Sequence, residues 1–227
     1  MNREIWWRDD DAGRDDVRLE RLLALARKRD RPVALAVVPE WLEPATVRRI
    51  LACPLATVLQ HGVAHEDHGG AGGDKVELGG EVDRDALAAR LVAGRERLAD
   101  AFGDRFLPVL VPPWNRIDAD VTAMAPALGF TGLSCFAGPP RDLPLRRIDV
   151  HVDAVDWPAG AVPLSADAVE TALDAAFAAA TGGPVGLMTH HQVLEERHWD
   201  DLDRVLGFGQ DDAAVVWLAA AEAFATP

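Results

Sequence analysis

Short apolar runs alternate with segments of helical periodicity along almost the whole chain. Seven runs of strand length occur, at residues 5–7, 33–38, 56–59, 107–111, 131–134, 147–152 and 185–188. Between the first two runs, residues 15–29 place Leu19, Leu22 and Leu23 on one helical face and basic residues at the C-terminal end. Strands that alternate with helices, without an internal repeat or an evident linker, predict a parallel α/β architecture.

Further helices are predicted at residues 44–51, from Asp83 to Gly103, at 118–128, from Ser165 to Gly182, and at 212–224. Asp83 and Ser165 suit N-cap positions, and Gly103 suits the position just after a helix. For the last helix, we expect Val215, Val216, Leu218 and Ala219 to form the buried side. Residues 62–80 are rich in glycine and lack periodicity, so a long loop is predicted there, of a length that is often functional or mobile.

The size of the chain and the positions of its polar clusters favour a barrel. With 227 residues and 49% hydrophobic composition, the chain can bury a full core, and we predict one domain over residues 1–227 rather than two small ones. Polar clusters follow the first, third, fourth, sixth and seventh runs, as expected for a site at the C-terminal rim of a parallel barrel. No glycine-rich nucleotide fingerprint follows the first run, which disfavours an open Rossmann sheet.

Charge and cysteine usage restrict the partners and the compartment. A formal net charge of -14 and a pI near 4.8 disfavour nucleic acid and anionic membrane surfaces as partners, so a neutral small molecule or a sugar is the predicted ligand. Cys53 and Cys135 lie in apolar surroundings without CxxC spacing, as expected of buried reduced thiols. The acidic N-terminal stretch contains no signal-peptide core, and no apolar run reaches the roughly 18 residues of a membrane span. A cytoplasmic location is therefore predicted, and the oligomeric state stays open.

The first apolar run leads directly into adjacent carboxylates. Ile5-Trp6-Trp7 is followed by Asp9, Asp10 and Asp11, a pattern typical of a buried strand that delivers acid groups to the rim of a sheet. Carboxylates at a buried rim are costly unless a metal ion or another cation compensates them. Asp15 and Asp16 are a different case, because they suit a solvated helix N-terminus.

Histidines offer the missing partner for these carboxylates. Five of the seven histidines fall in two windows, His61, His65 and His68 in one and His190 and His191 in the other. On a helical turn, His61 and His65 would project from one face and hold one ion, although a pair of structural histidines is the alternative. Two histidine nitrogens and one aspartate oxygen make an open, catalytic metal site; zinc fits it, and manganese, cobalt, nickel or iron could also occupy it.

Five stretches resemble the motifs of the polysaccharide deacetylases, a carbohydrate esterase family that includes chitin and peptidoglycan deacetylases. In the family's order along the chain, they are Asp10-Asp11-Ala12-Gly13, His61-Gly62-Val63-Ala64-His65, Val111-Pro112-Pro113-Trp114-Asn115-Arg116, His151-Val152-Asp153-Ala154-Val155-Asp156-Trp157 and Leu187-Met188-Thr189-His190. The resemblance covers nearly the whole chain. It implies a distorted barrel of seven or eight strands, in agreement with the (β/α)7 count reached from the apolar runs.

The resemblance also implies an activity and a role for each matched residue. The activity is hydrolysis of an amide, typically an N-acetyl group on an amino sugar, by a metal-activated water. Asp11, His61 and His65 would bind one divalent metal ion, zinc by preference, Asp10 would be the general base and His190 the general acid. Residues that line the groove or brace the acid, and so serve substrate binding, would be Pro113, Trp114, Arg116, Asp153 and Trp157. For Trp114, which would stack on a sugar ring, packing in the core is the alternative. A bound metal lowers the pKa of water toward about 7, which makes a nucleophile at neutral pH.

This sequence departs from the family pattern in three places. The third motif usually begins with an arginine that pairs with the base, whereas Val111 stands here; Arg116 or Arg8 could take that place. The third aspartate, Asp9, makes the register ambiguous by one, and the spacing to Gly13 favours Asp10 and Asp11. His190 and His191 are ambiguous in the same way.

Two other functions compete with deacetylation. The same scaffold could hydrolyse another non-peptide carbon–nitrogen bond, such as a linear or cyclic amide of a small metabolite, which a cytoplasmic protein could reach more easily than cell-wall polymers. Alternatively, the missing arginine before Pro112 could mark a catalytically silent sugar-binding or metal-binding module. Phosphate chemistry is disfavoured, because no basic cluster lies beside the acidic residues.

Overall fold

The computed structural model describes residues 3–138, 144–180 and 182–225. The strands in these ranges are β1 (Arg3–Ala12), β2 (Val33–Val37), β3 (Ala56–His61), β4 (Phe106–Val111), β5 (Gly132–Leu133), β6 (Arg146–Arg147), β7 (Val152–Asp153), β8 (Val155–Asp156), β9 (Val162–Pro163), β10 (Val185–Thr189) and β11 (Val215–Leu218). The α-helices are α1 (Val17–Arg29), α2 (Pro44–Leu51), α3 (Arg84–Phe102), α4 (Ala119–Met124), α5 (Ala166–Ala179), α6 (Trp199–Leu206) and α7 (Ala220–Ala223).

The main sheet is parallel and is centred on β1. Its strands follow the order β6-β5-β4-β3-β2-β1-β10-β7. On one side of β1, Ile5 to Asp9 pair with β10. On the other side, β11 pairs with Arg3–Trp6 and β2 pairs with Arg8–Ala12. Strand β1 thus contacts three parallel neighbours, which explains why an apolar run buried on both faces stands at the start of the chain.

The sheet curls into a distorted barrel. Inward-facing side chains of β1, β2, β3, β4 and β10 meet in one buried cluster, which includes Trp6, Ala34, Ala36, Leu59, Val109, Val111 and Met188. The extended stretch 146–153 closes the curve: Ile148 N–H donates to Leu133 O, and His151 N–H donates to Gly186 O. The predicted sixth strand at 147–152 is therefore a single segment shared between β5 and β10. The prediction of a distorted parallel α/β barrel is confirmed.

The helices pack on the outer face of the barrel. Alternate side chains of β1, including Ile5 and Trp7, join residues of α1, α2, α3, α5 and α6 in the largest buried cluster. A second outer cluster, which contains Val63, Leu78 and Leu87, lies beneath the 62–80 loop. The rim at which the strands end is thus held by packing on both faces. No helix within the described ranges has both the length and the apolar character required to cross a bilayer.

Most element boundaries follow the sequence pattern. Helix α2 spans the predicted residues, α1 begins after the Asp16 cap, and α3 begins after Asp83, whose side chain accepts from Ala86 N–H. The predicted helix at 212–224 is wrong. Val215–Leu218 forms β11 instead, because its consecutive apolar residues pair with the first residues of β1.

The C-terminal residues also fill the inside of the barrel. Only the short helix α7 follows β11, and its Ala220 and Ala223 join the inner cluster. The ring of Phe224 lies edge-on to Trp6, with centroids 5.8 Å apart. The chain end therefore packs into the barrel rather than forming an outer amphipathic helix.

Candidate active site

The three adjacent aspartates at the end of β1 point to three different places. Strand alternation turns Arg8 and Asp10 inward and Asp9 outward. The register between β1 and β2 shifts between Asp9 and Ala12, and Asp11 has a left-handed backbone with φ 68°. This bulge breaks the alternation and leaves the Asp11 carboxylate at the rim.

Asp11, His61 and His65 converge on one point. The Nε2 atoms of His61 and His65 lie 3.2 and 3.3 Å from Asp11 Oδ1, and the three ligand atoms lie within 4.8 Å of one another. Among the described residues, this buried Asp11 oxygen has no hydrogen-bond partner. His61 Nδ1 donates to the Val111 carbonyl at 3.0 Å, which leaves its Nε2 lone pair facing Asp11. The triad fits the ligand set of an open metal site, so it is a possible metal-binding site.

The electrostatics of the triad favour an ionised carboxylate beside histidines. Burial raises the pKa of Asp11, but the close approach and charge of His61, with the charges of His190 and His65, outweigh it and hold that pKa well below its usual range. Burial lowers the pKa of His61, yet Asp11 and Asp10 raise it overall. Burial, together with the charge of His61, lowers the pKa of His65. A cation at this point would satisfy the anion and both imidazoles at once.

The second histidine is positioned by a turn, not by a helix. His61 ends β3, Gly62 and His65 both have left-handed backbones with φ 53° and 60°, and the prediction that the pair shares a helical turn is wrong. The buried Glu77 carboxylate accepts from the N–H groups of Val63 and Ala64 at 3.0 and 2.7 Å. A Cβ atom at Gly62 would lie 1.9 Å from Glu77 Oε2, so this position requires glycine.

Arg8 pairs with the predicted base. Its Nε and Nη2 donate to the two oxygens of Asp10 at 2.8 and 3.0 Å, and both side chains are buried. The remaining donors of Arg8 bond Ser134 Oγ and Asn115 Oδ1, each at 2.7 Å. Of the two arginines considered for this place, Arg8 therefore occupies it.

Arg116 lies elsewhere, on the exposed wall of the cleft. Its Nη2 is 3.0 Å from Asp74 Oδ1, and its Nη1 donates to the Lys75 carbonyl at 3.3 Å. The ion pair with Asp74 is open to solvent on both sides. Arg116 is thus available to a bound molecule but does not touch Asp10.

His190 faces the triad, whereas His191 does not. His190 Nδ1 lies 3.9 Å from Asp153 Oδ1, and the Trp157 ring meets the His190 ring edge-on, with centroids 4.8 Å apart. Trp157 Nε1 donates to Asp153 Oδ2 at 2.8 Å, and burial raises the pKa of Asp153 despite the charge of His190. His191 lies behind the sheet, where its ring bonds Asp9. The ambiguity between adjacent histidines is therefore resolved by which side of the sheet each one faces.

These groups share one cleft of about 540 Å³. Its walls contain nine of the ten predicted site residues, and the full lining is Asp10, Asp11, His61, His65, Lys75, Trp114, Asn115, Arg116, Phe136, Asp153, Trp157, Met188 and His190. Pro113 is the exception, because it is buried and packs against Gly62. A Cβ atom added to Gly62 would lie 2.7 Å from the Pro113 ring. The substrate-binding role of Pro113 stays a prediction.

The cleft has aromatic walls on both sides of the triad. The Trp114 ring lies 4.4 Å from the His65 ring between centroids, and the Lys75 ammonium lies 5.7 Å from the Trp114 centroid. Phe136 and Trp157 contribute largely exposed rings to the lining. The arrangement provides apolar surfaces for a ring or chain and polar groups at its centre, as small-molecule sites do.

Several residues of the site carry no signal in the sequence pattern. Glu77 lies in the glycine-rich loop, and Ser134 and Asn115 follow strands as ordinary polar residues. Arg8 was one of the two arginines considered as the partner of the base, and strand alternation favours it, because a strand residue two positions from Asp10 shares its face.

Comparisons with known proteins give a match in structure but not in sequence. No protein-family model matches the chain, and no curated protein matches it significantly. Among solved structures, a Mycobacterium smegmatis protein assigned to the polysaccharide deacetylases superimposes with a TM-score of 0.72 at 16% identity, over 97% of this chain and 88% of that one. The Bc1960 peptidoglycan N-acetylglucosamine deacetylase superimposes with a TM-score of 0.67 at 17% identity, over 100% of this chain and 90% of that one.

A third similar structure is a protein without the activity. The BA3943 pseudoenzyme of Bacillus anthracis, from carbohydrate esterase family 4, has a TM-score of 0.66 at 13% identity and covers 99% of this chain and 66% of that one. Active and inactive proteins thus share this architecture, and function has to be argued from the residues of the cleft. The chain itself has the polysaccharide deacetylase fold, as its motifs predict.

Proposed function

We propose that this protein is a metal-dependent hydrolase that removes an N-acetyl group from an amino sugar or a related N-acylated substrate. The observation that carries the proposal is the convergence of Asp11, His61 and His65 in the same cleft as Asp10 and His190. The five groups supply ligands, a base and an acid around one point. Acyl transfer to water needs these three functions in one place.

Asp11, His61 and His65 would hold one divalent ion, with zinc the predicted metal. When bound, the ion supplies Lewis-acid polarisation of the acyl carbonyl and activation of water. The protein orients its ligands beforehand: the Val111 carbonyl fixes the His61 ring, and Glu77 fixes the turn that carries His65. Outer contacts of this kind set the affinity of metal sites.

Asp10 is the proposed general base. Arg8 bonds both of its oxygens, which fixes the carboxylate plane, and each oxygen, at the wall of the cleft, retains a second lone pair. Asp10 takes one proton from the attacking water as the oxygen of that water bonds to the acyl carbon. Arg8 makes the pairing with the base that the family pattern assigns to an arginine before the prolines. This contact supports a hydrolase over the alternative of a silent module.

His190 is the proposed general acid. It donates a proton to the amide nitrogen as the carbon–nitrogen bond breaks, and acetate and a free amine leave the cleft. The Trp157 ring limits the rotation of His190, and Asp153 lies on its Nδ1 side. Trp114, Trp157 and Arg116 are the proposed substrate contacts, with aromatic faces for a sugar ring and a cation for its polar groups.

The test combines metal analysis with acetate release. The purified 227-residue protein is assayed for bound metal by mass spectrometry and for acetate released from N-acetylglucosamine oligomers, with the Asp11→Asn variant as control. We expect about one metal ion per chain and acetate release that requires it. Metal without acetate would redirect the search to other non-peptide amides, and neither metal nor acetate would overturn the proposal.

A further inference from the structure

A second aspartate–histidine pair lies directly behind the cleft. Asp9 and His191 are 0% and 1% exposed, and His191 Nδ1 lies 2.5 Å from Asp9 Oδ1. The other oxygen of Asp9 accepts from the Thr189 hydroxyl at 2.6 Å and from the His191 N–H at 3.1 Å. Trp7 Nε1 donates to the same hydroxyl at 2.8 Å. Every polar atom of the Asp9 carboxylate is thus directed at the end of β10.

Asp9 and His191 lie on the opposite face of the sheet from the proposed reaction site. Strands β1 and β10 are parallel neighbours with Asp9 opposite Thr189, and successive residues of a strand face opposite sides. Asp10 and His190 face the cleft, and their chain neighbours Asp9 and His191 bond to each other behind it. The adjacent aspartates and the adjacent histidines in the sequence are therefore two pairs placed back to back.

A further bond ties the same two segments together. Gln192 Nε2 donates to the Asp11 carbonyl at 2.6 Å. With the bonds of Asp9, the segment after β10 is attached to β1 at Asp9 and Asp11, the two positions on either side of the proposed base. These contacts add to the β1–β10 ladder, which ends at Asp9 and Thr189, and they extend the connection between the two segments past His190.

We propose that Asp9 and His191 are positioning residues for the hydrolytic site, and that they act by holding His190 at its working distance from Asp10. This inference rests on the proposed function in so far as it assigns His190 the role of acid. A pair that served only folding would stabilise the protein without affecting turnover by the folded molecule.

The first test is the Asp9→Asn variant, which keeps the size of the side chain and removes its charge. We expect kcat to fall about 100-fold, as small displacements of reacting groups do, while KM and metal content stay within about twofold of the parent. Asp203→Asn is the control, because Asp203 binds Lys28 and Arg29 between α1 and α6, away from the cleft, and should leave kcat unchanged. A lowered thermal midpoint with full turnover in Asp9→Asn would overturn the inference.

A double-mutant cycle asks whether Asp9 acts through His190. In the His190→Ala background, Asp9→Asn should cost less than about twofold in kcat, because the group that it positions is gone. Thr189→Val, which removes one bond to Asp9, should give a smaller loss that vanishes in the same background. Equal losses in both backgrounds would contradict action through His190.

A readout independent of activity separates this inference from the proposed function. Crystal structures of the parent and of Asp9→Asn should show His190 displaced relative to Asp10, with Asp11, His61 and His65 in place. If the parent hydrolyses no amide, the proposed function fails, and the structures alone decide the positioning inference. An unmoved His190 would refute it.

Discussion

At the scale of single residues, chemical identity does not determine role in this site. Asp9, Asp10 and Asp11 are consecutive, yet one bonds His191 behind the sheet, one bonds Arg8, and one faces two histidines. What separates them is strand alternation and one left-handed residue. Alternation could be predicted from the apolar run, but the left-handed conformation of Asp11 could not.

The role of Asp10 gives the first prediction. Asp10→Asn keeps the Arg8 contact through its amide oxygen and cannot accept a proton from water. We expect turnover to fall roughly 10²- to 10⁴-fold with metal content unchanged, measured by acetate release and metal analysis. Asp15→Asn, on the exposed loop after β1, is the matched control. Near-normal turnover in Asp10→Asn would remove Asp10 as the base.

The two candidate arginines can be separated by stability. Arg8→Met leaves the buried Asp10 carboxylate without a cation, and losing one partner of a buried ion pair costs about 3–5 kcal/mol. Arg116→Met breaks only solvent-exposed contacts, those with Asp74 and the Lys75 carbonyl, and should change stability far less. Urea unfolding of both variants measures the difference. Similar losses for both would mean that Arg8 is not the principal partner of Asp10.

At the scale of elements, the sequence predicts a segment well where capping and periodicity agree. Asp83 and Gly103 bound α3 as predicted, since a side-chain cap and a glycine with positive φ act locally. The segment 212–224 failed because its apolar run satisfies either a helix or a strand, and pairing with β1 decides between them. The secondary-structure propensity of residues 212–224 does not predict pairing with a strand at the opposite end of the sequence.

Helix α6 was missed although its pattern was present. Trp199, Leu202, Val205 and Leu206 are buried on one face at helical spacing. Charged residues separate these apolar positions, and no element is predicted at residues 199–206. Short amphipathic helices of this kind are recognised only when the periodicity is weighed ahead of composition.

The glycine-rich loop yields a prediction at this scale. Glu77 accepts from three backbone N–H groups of the turn that carries His65, those of Val63, Ala64 and Glu66. In Glu77→Gln, an NH₂ group replaces one of the two accepting oxygens and faces backbone N–H groups that need an acceptor. The turn should therefore loosen. We expect zinc affinity to fall about 10- to 100-fold, measured by competition titration. Glu81→Gln, an exposed loop position, should bind zinc like the parent, and an unchanged affinity in Glu77→Gln would contradict a supporting role.

At the scale of the whole molecule, the barrel explains why residues distant in sequence meet. Parallel strands all end at the same rim, so β1, β3, β4 and β10 deliver their polar ends to one cleft. That convergence follows from the alternation of strands and helices, and most site residues were predictable from it. The supporting contacts of Glu77 and of the Asp9–His191 pair were not, because they depend on which neighbours the closed barrel brings together, and the same dependence left Arg8 and Arg116 as alternatives.

Because the triad joins β1 to β3 and its turn, metal binding should stabilise the entire fold. An ion that binds only the folded state at 100 times its Kd adds about 2.7 kcal/mol, and for a chain of this size each kcal/mol raises Tm by roughly 2–4 °C. We therefore expect zinc to raise Tm by about 5–10 °C, and EDTA to reverse the shift.

Paired histidine variants show whether this stabilisation comes from the triad. His65→Gln removes one ligand and should abolish the zinc-dependent rise in Tm, measured by calorimetry. His198→Gln should retain it, because the His198 ring bonds only Glu195 and Arg197 among the described residues. If zinc raises Tm equally in both variants, the ion binds elsewhere on this acidic protein, and the site at the rim loses its support. Separate behaviour of the two variants ties the stability of the barrel to the same three side chains that would carry the chemistry.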